Sequence, residues 1–99
     1  MEANINYHGS CSIDRELMEK AGIVPNEQIQ IYNVNNGERF TTYAIPSSIK
    51  GMIALNGSAA RLGIPGDLII ICTYGMIESD SSYVPKVVFV NDKNEAIEQ

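Results

Sequence analysis

Asn35-Asn36-Gly37 stands between two runs of β-forming residues and commits this part of the chain to a hairpin. An Asn-Gly pair accepts positive φ at little cost, which is what a tight hairpin turn requires. Before it, Gln28 to Val34 sets Ile29, Ile31 and Val34 nearly in alternation; after it, Glu38 to Ile45 supplies the partner strand. The rest of the chain is similarly short in its periods. Residues 3–7 alternate weakly, Met52 to Leu55 reads as a short strand, and residues 86–91 form a last one before a polar tail. The β-branched run from Leu68 to Thr73 fits a strand buried on both faces. Pro25-Asn26, Pro46-Ser47-Ser48 and Pro65-Gly66-Asp67 read as breaks and turns.

Two helical pieces interrupt the strands. Asp14 to Ala21 has a capping carboxylate at its start, Leu17, Met18 and Ala21 on one face, and Gly22 as its stop. Asn56 to Leu62 reads as a strand end running into one or two helical turns, stopped by Gly63. About six strands and two small helices predict a mainly β fold, a small closed β-barrel rather than a sandwich, because closure protects short strands from exposed edges. No repeat or linker divides residues 1–99, so one domain is expected. A core this small is thin, and self-association would bury further apolar surface.

Charge and residue types narrow the function. The net charge is −5, and the 7 lysines and arginines are spread along the chain, which is no footprint for nucleic acid. An anionic substrate would therefore need a local positive group. The longest apolar run, Leu68 to Cys72, is too short to span a bilayer, and Met1 to Tyr7 is neither a basic nor an apolar leader, so a cytoplasmic location and no membrane partner are expected. Cys11 and Cys72 read as free, packed thiols. His8 is the single histidine and reads as a solvated loop residue; with no CxxC pair, no metal site is expected. Neither a Walker-type phosphate loop nor GxGxxG is present.

Four segments remain: Tyr7-His8-Gly9-Ser10-Cys11-Ser12-Ile13-Asp14; Asn35-Asn36-Gly37-Glu38-Arg39-Phe40-Thr41-Thr42-Tyr43; Leu55-Asn56-Gly57-Ser58-Ala59-Ala60-Arg61; and Pro65-Gly66-Asp67-Leu68-Ile69-Ile70-Ile71. Each alone is a turn, a hairpin or a strand end. In this order and spacing they resemble the aspartate 1-decarboxylases, pyruvoyl-dependent bacterial enzymes that make β-alanine for pantothenate. The likeness runs from about Ala3 to the tail near Glu95.

The resemblance implies a double-psi β-barrel that assembles as a homotetramer and is made as an inactive precursor. It implies self-cleavage between Gly9 and Ser10, giving a 1–9 β chain and a 10–99 α chain. Serine supplies the attacking oxygen and a β-carbon from which the ester leaves; glycine leaves its carbonyl open to close approach. The cofactor implied is a pyruvoyl group derived from Ser10, whose ketone condenses with the amine of L-aspartate as a Schiff base and accepts electrons when the α-carboxylate departs. Thr42 matches a threonine tied to processing and substrate contact. Tyr43 matches the proton donor, and Arg39 the residue that holds a substrate carboxylate. Gly57, Ser58 and Ala59 match the substrate-binding turn and Asn56 shapes the same pocket, with Ser58 standing where the family usually has alanine. The family also carries an opening strand with an active-site lysine ahead of the point matching Met1, and Lys20, Lys50, Lys86 and Lys93 do not fall at that position. The contrasting expectation is a non-catalytic barrel kept as an interaction or regulatory subunit.

Overall fold

The structure, a computed structural model, describes residues 9–80 and 82–97. The expected strand at 3–7 and His8 lie outside them. The chain runs β1 (Ser10–Asp14), α1 (Arg15–Ala21), β2 (Gln28–Asn33), β3 (Arg39–Ser47), β4 (Ile53–Asn56), a 3-10 helix (Gly57–Leu62), β5 (Ile69–Cys72), β6 (Phe89–Val90) and β7 (Ala96–Ile97). The first five strands form one sheet in the order β4-β1-β3-β2-β5, and β6 pairs with β7 alone. The result is mainly β: a strongly curled sheet with two short helices, compatible with a small β-barrel.

Local chemistry sets the elements. Asp14 caps α1, accepting from the Glu16 amide at 2.9 Å, and also accepts from the Gly51 amide at 2.8 Å. Gly22 ends the helix at φ 79°, and the Ile23 amide reaches back to the Met18 carbonyl, the left-handed closure that glycine permits without a Cβ clash. Both bonds to Asp14 favour its charged form, the one from Gly51 most, and hold its carboxyl below the usual range. The carboxylate therefore contributes stability at neutral pH that is lost as pH falls below the ordinary aspartate value of about 3.9 and through the lower folded value. Asp14→Asn is expected to flatten the acid limb of a pH–denaturation curve in that window and to leave its alkaline limb unchanged.

The pleat sorts the sheet into two faces. Cys11 and Ile13 on β1, Ile29 and Ile31 on β2, and Ala44 on β3 point inward and form the core with Leu17 and Met18 of α1. Ile53, Leu55, Ile69 and Ile71 pack against it. In the ladder, β1 runs parallel to β3 with Cys11 beside Ala44, and antiparallel to β4 with Ser10 opposite Asn56.

Two expectations are corrected. The run after Leu68 is not buried on both faces: β5 is an edge strand paired with β2, and Leu68 and Ile70 are 67% and 51% exposed. Pro46 does not break the chain but lies inside β3, paired with Ile13 of β1. It is tolerated there because β2 pairs only with residues up to Tyr43, so Pro46 owes no amide hydrogen to that side. The tail contributes β7, against a last strand shortened to Phe89–Val90.

Candidate active site

β1 is central in the sheet, so its first residue has neighbours on both sides, and the 3-10 helix starts directly after β4 and folds over the residue before β1. Gly9 is buried there. A Cβ at Gly9 would lie 2.5 Å from the Ala59 amide nitrogen and 2.7 Å from the Ala59 Cβ, and against the Asn56 carbonyl. Backbone on two sides cannot yield cheaply, so no side chain fits. Gly9→Ala is expected to destabilise the protein by about 1–3 kcal/mol through overpacking, read by urea denaturation, and to displace the peptide that follows.

The Gly9 carbonyl accepts a hydrogen bond from Thr42 Oγ1 at 2.7 Å. Thr42 is 3% exposed and points inward from β3, which fixes its hydroxyl on this one acceptor. Asn56 Nδ2 donates to Ser10 Oγ and to Ser12 Oγ, each at 2.9 Å. Asn56 precedes the 3-10 helix but makes no side-chain cap to it; its amide is turned to the serines instead. Gly57 opens the helix at φ 62°, a conformation that favours glycine, and lets the chain turn back over Gly9.

Gly9, Ser10, Thr42, Asn56 and Ala59 thus converge. Ser58 is exposed on the first turn of the 3-10 helix. Tyr43 precedes Ala44 as Ser10 precedes Cys11, so parallel pairing sets Tyr43 beside Ser10 on the outer face. Arg39 shares that outer face, four residues back along β3, or about 13 Å at the rise of a strand. There its guanidinium lies over the Tyr32 ring, 4.9 Å from the centroid. The sheet therefore carries Thr42 on its inner face and Ser10, Tyr43 and Arg39 on its outer face.

Sequence reasoning missed Ser12, Tyr32, Gln30 and Tyr74. Ser12 was signalled by its two-residue spacing from Ser10, and Tyr32 by its hairpin register opposite Arg39. Nothing local marks Tyr74, which meets Tyr32 from 42 residues away. The thiol of Cys11, next to Ser10 in sequence, is pushed up to about 12 by burial and stays protonated in the core.

Chemically, this is a carbonyl with a hydroxyl donor on its oxygen, followed at once by a serine whose oxygen is held by an amide. A family model described as aspartate decarboxylase matches residues 1–97. The chain belongs to the aspartate decarboxylase family. Its relatives named aspartate 1-decarboxylase include that of Trichormus variabilis, 57% identical over 99 positions that cover 97% of this chain and 78% of the relative. The protein of Herminiimonas arsenicoxydans is 52% identical over 96 positions, covering 94% and 81%. That of Thermoanaerobacter pseudethanolicus is 48% identical over 99 positions, covering 97% and 85%. Family membership supports aspartate decarboxylation, a carboxy-lyase reaction, as the activity of this fold. Among the described residues no helix is long and apolar enough to cross a membrane.

Proposed function

We propose that this chain is a precursor that cleaves itself between Gly9 and Ser10 and then converts L-aspartate to β-alanine and carbon dioxide. The observation that carries the reading is the hydrogen bond from Thr42 Oγ1 to the Gly9 carbonyl, beside a serine oxygen held by Asn56. Ser10 Oγ forms a bond to the Gly9 carbonyl carbon as the amide C–N bond breaks, and the serine hydroxyl proton passes to the released nitrogen. Thr42 stabilises the negative charge that gathers on the carbonyl oxygen during the attack. Asn56 donates to Ser10 Oγ, so it orients the oxygen while leaving the hydroxyl proton free to depart. Elimination from the serine β-carbon releases residues 1–9 with a free carboxylate, and uptake of water with loss of ammonia leaves residues 10–99 headed by a pyruvoyl group.

That group fits the donor set, because it is made from Ser10 itself and needs no further ligand. It supplies a carbonyl that takes up the electrons left when a carboxylate departs. The chain's own residues do the rest. Arg39 holds a carboxylate of L-aspartate through its planar fork. Tyr43, on the same outer face beside Ser10, carries on its phenol oxygen the proton returned to the amine-bearing carbon that the departing carboxylate leaves. Asn56, Gly57, Ser58 and Ala59 line the turn against which the substrate lies. The acidic chain thereby meets an acidic substrate at a local cation.

Large apolar side chains, among them Ile64, Leu68, Ile70, Met76 and Val84, are exposed. Exposed apolar side chains in this number fit burial between copies, in line with a homotetramer built from single 1–99 units. A place in the cytoplasm, supplying β-alanine for pantothenate, completes the reading. The test is L-aspartate carrying label in its α-carboxylate. Label is expected in carbon dioxide with unlabelled β-alanine formed in equal amount; label retained in the amino-acid product contradicts the reading.

A further inference from the structure

The contact between Arg39 and Tyr32 is built on more than two neighbouring side chains. An exposed arginine over a half-buried ring gains little by itself, because both side chains lose rotamer freedom to meet. Here the ring is fixed from two other directions. The Tyr32 hydroxyl donates to Gln30 Oε1 at 3.3 Å and is hydrogen-bonded to the Tyr74 hydroxyl. A phenol has one proton, and Tyr32 places it on Gln30, so Tyr74 donates to Tyr32. The chain Tyr74 to Tyr32 to Gln30 has one direction. It accords with the Tyr74 phenol being raised to about 12, chiefly by that bond, since ionised Tyr74 has no proton to give.

The two tyrosines and the glutamine come from two pieces of chain. Tyr32 and Gln30 lie on β2, and Tyr74 follows β5 by two residues. They meet on the outer face that Arg39 shares with Tyr43 and Ser10. With its central carbon over the ring, the guanidinium is held by the contact at one side and keeps N–H donors for a carboxylate, which engages them in pairs.

We propose that Tyr32 and Tyr74 are positioning residues, a hydroxyl-linked pair that presents the Arg39 guanidinium edge-on to the substrate carboxylate. The proposal rests on the reading of Arg39 as the carboxylate-binding residue. It sets the affinity for L-aspartate and leaves the self-cleavage of Gly9–Ser10 untouched, because the bonds to the Gly9 carbonyl and Ser10 Oγ come from Thr42 and Asn56, whereas the tyrosine hydroxyls bond to each other and to Gln30.

The experiment measures steady-state kinetics on fully processed enzyme, with processing verified by intact mass. Tyr32→Leu is expected to raise KM for L-aspartate about three- to tenfold with kcat within about twofold, the range of a cation–π contact and its lost ordering. Tyr74→Phe keeps the Tyr32 ring and removes the bond that fixes it, so a smaller rise of about two- to threefold is expected. It also serves as the test should Tyr32→Leu fail to fold. In an Arg39→Ala background Tyr32→Leu is expected to add nothing. If Arg39→Ala raises KM while Tyr32→Leu and Tyr74→Phe do not, the positioning role is overturned and the Arg39 reading stands. If Arg39→Ala itself leaves KM unchanged, the Arg39 reading falls, and the positioning role with it.

Discussion

Ser10→Ala leaves one uncut chain and no β-alanine. The side-chain oxygen is the only atom of residue 10 able to attack the Gly9 carbonyl, and alanine also lacks the leaving position on Cβ from which elimination proceeds. The effect is all-or-none within the sensitivity of the assay, because cleavage and cofactor formation both fail at the first step. Folding is spared: Ser10 is half-buried, and its side chain accepts one bond from Asn56, which keeps Ser12 as a second partner. Ser12→Ala is the control. It removes a neighbouring hydroxyl on the same amide and is expected still to cleave. Carbon dioxide released from aspartate by Ser10→Ala would remove Ser10 from the chemistry.

Thr42→Val has the second largest effect. Valine matches threonine in shape but removes the donor from the Gly9 carbonyl. Two consequences add. The charge developing on the carbonyl oxygen loses its stabilising hydroxyl, which for a single such donor slows reaction by about 10²–10³-fold. The carbonyl is also left buried without that bond, at a cost of about 1–3 kcal/mol in stability. The cleaved fraction followed over time by mass spectrometry is expected to rise at that reduced rate, with Thr42→Ser restoring most of it. Cleavage by Thr42→Val within about threefold of the native rate would deny the hydroxyl a role, since an oxyanion donor is worth far more than that.

The hairpin and the first helix were legible because their signals are local. Asn35-Asn36-Gly37 fixes the turn, and Gly37 adopts φ 78° there. Asp14 and Gly22 bound α1 within a residue of the positions expected. The heart of the site was less legible. Thr42 reaches Gly9 across 33 residues, through parallel pairing of β1 with β3, and no sequence period encodes which strands become neighbours. The outer face of β5 was misread for a related reason. A run of isoleucines has the same composition whether the strand is central or at an edge, and only the sheet order distinguishes them. Pro46 was misread because its missing amide matters only where a partner strand asks for it. Arg39 and Tyr43 were named through family likeness; their common face with Ser10 follows from the pleat once the register is known.

The central claim is that the amide between Gly9 and Ser10 is the reactive bond of this protein. Intact-mass measurement of the purified 99-residue chain after warming tests it most directly. Two chains are expected, divided between Gly9 and Ser10, the larger lighter by one ammonia than a chain that keeps Ser10 as its N-terminal residue. A single uncut mass after prolonged warming, or a larger chain that begins with intact serine, would contradict it.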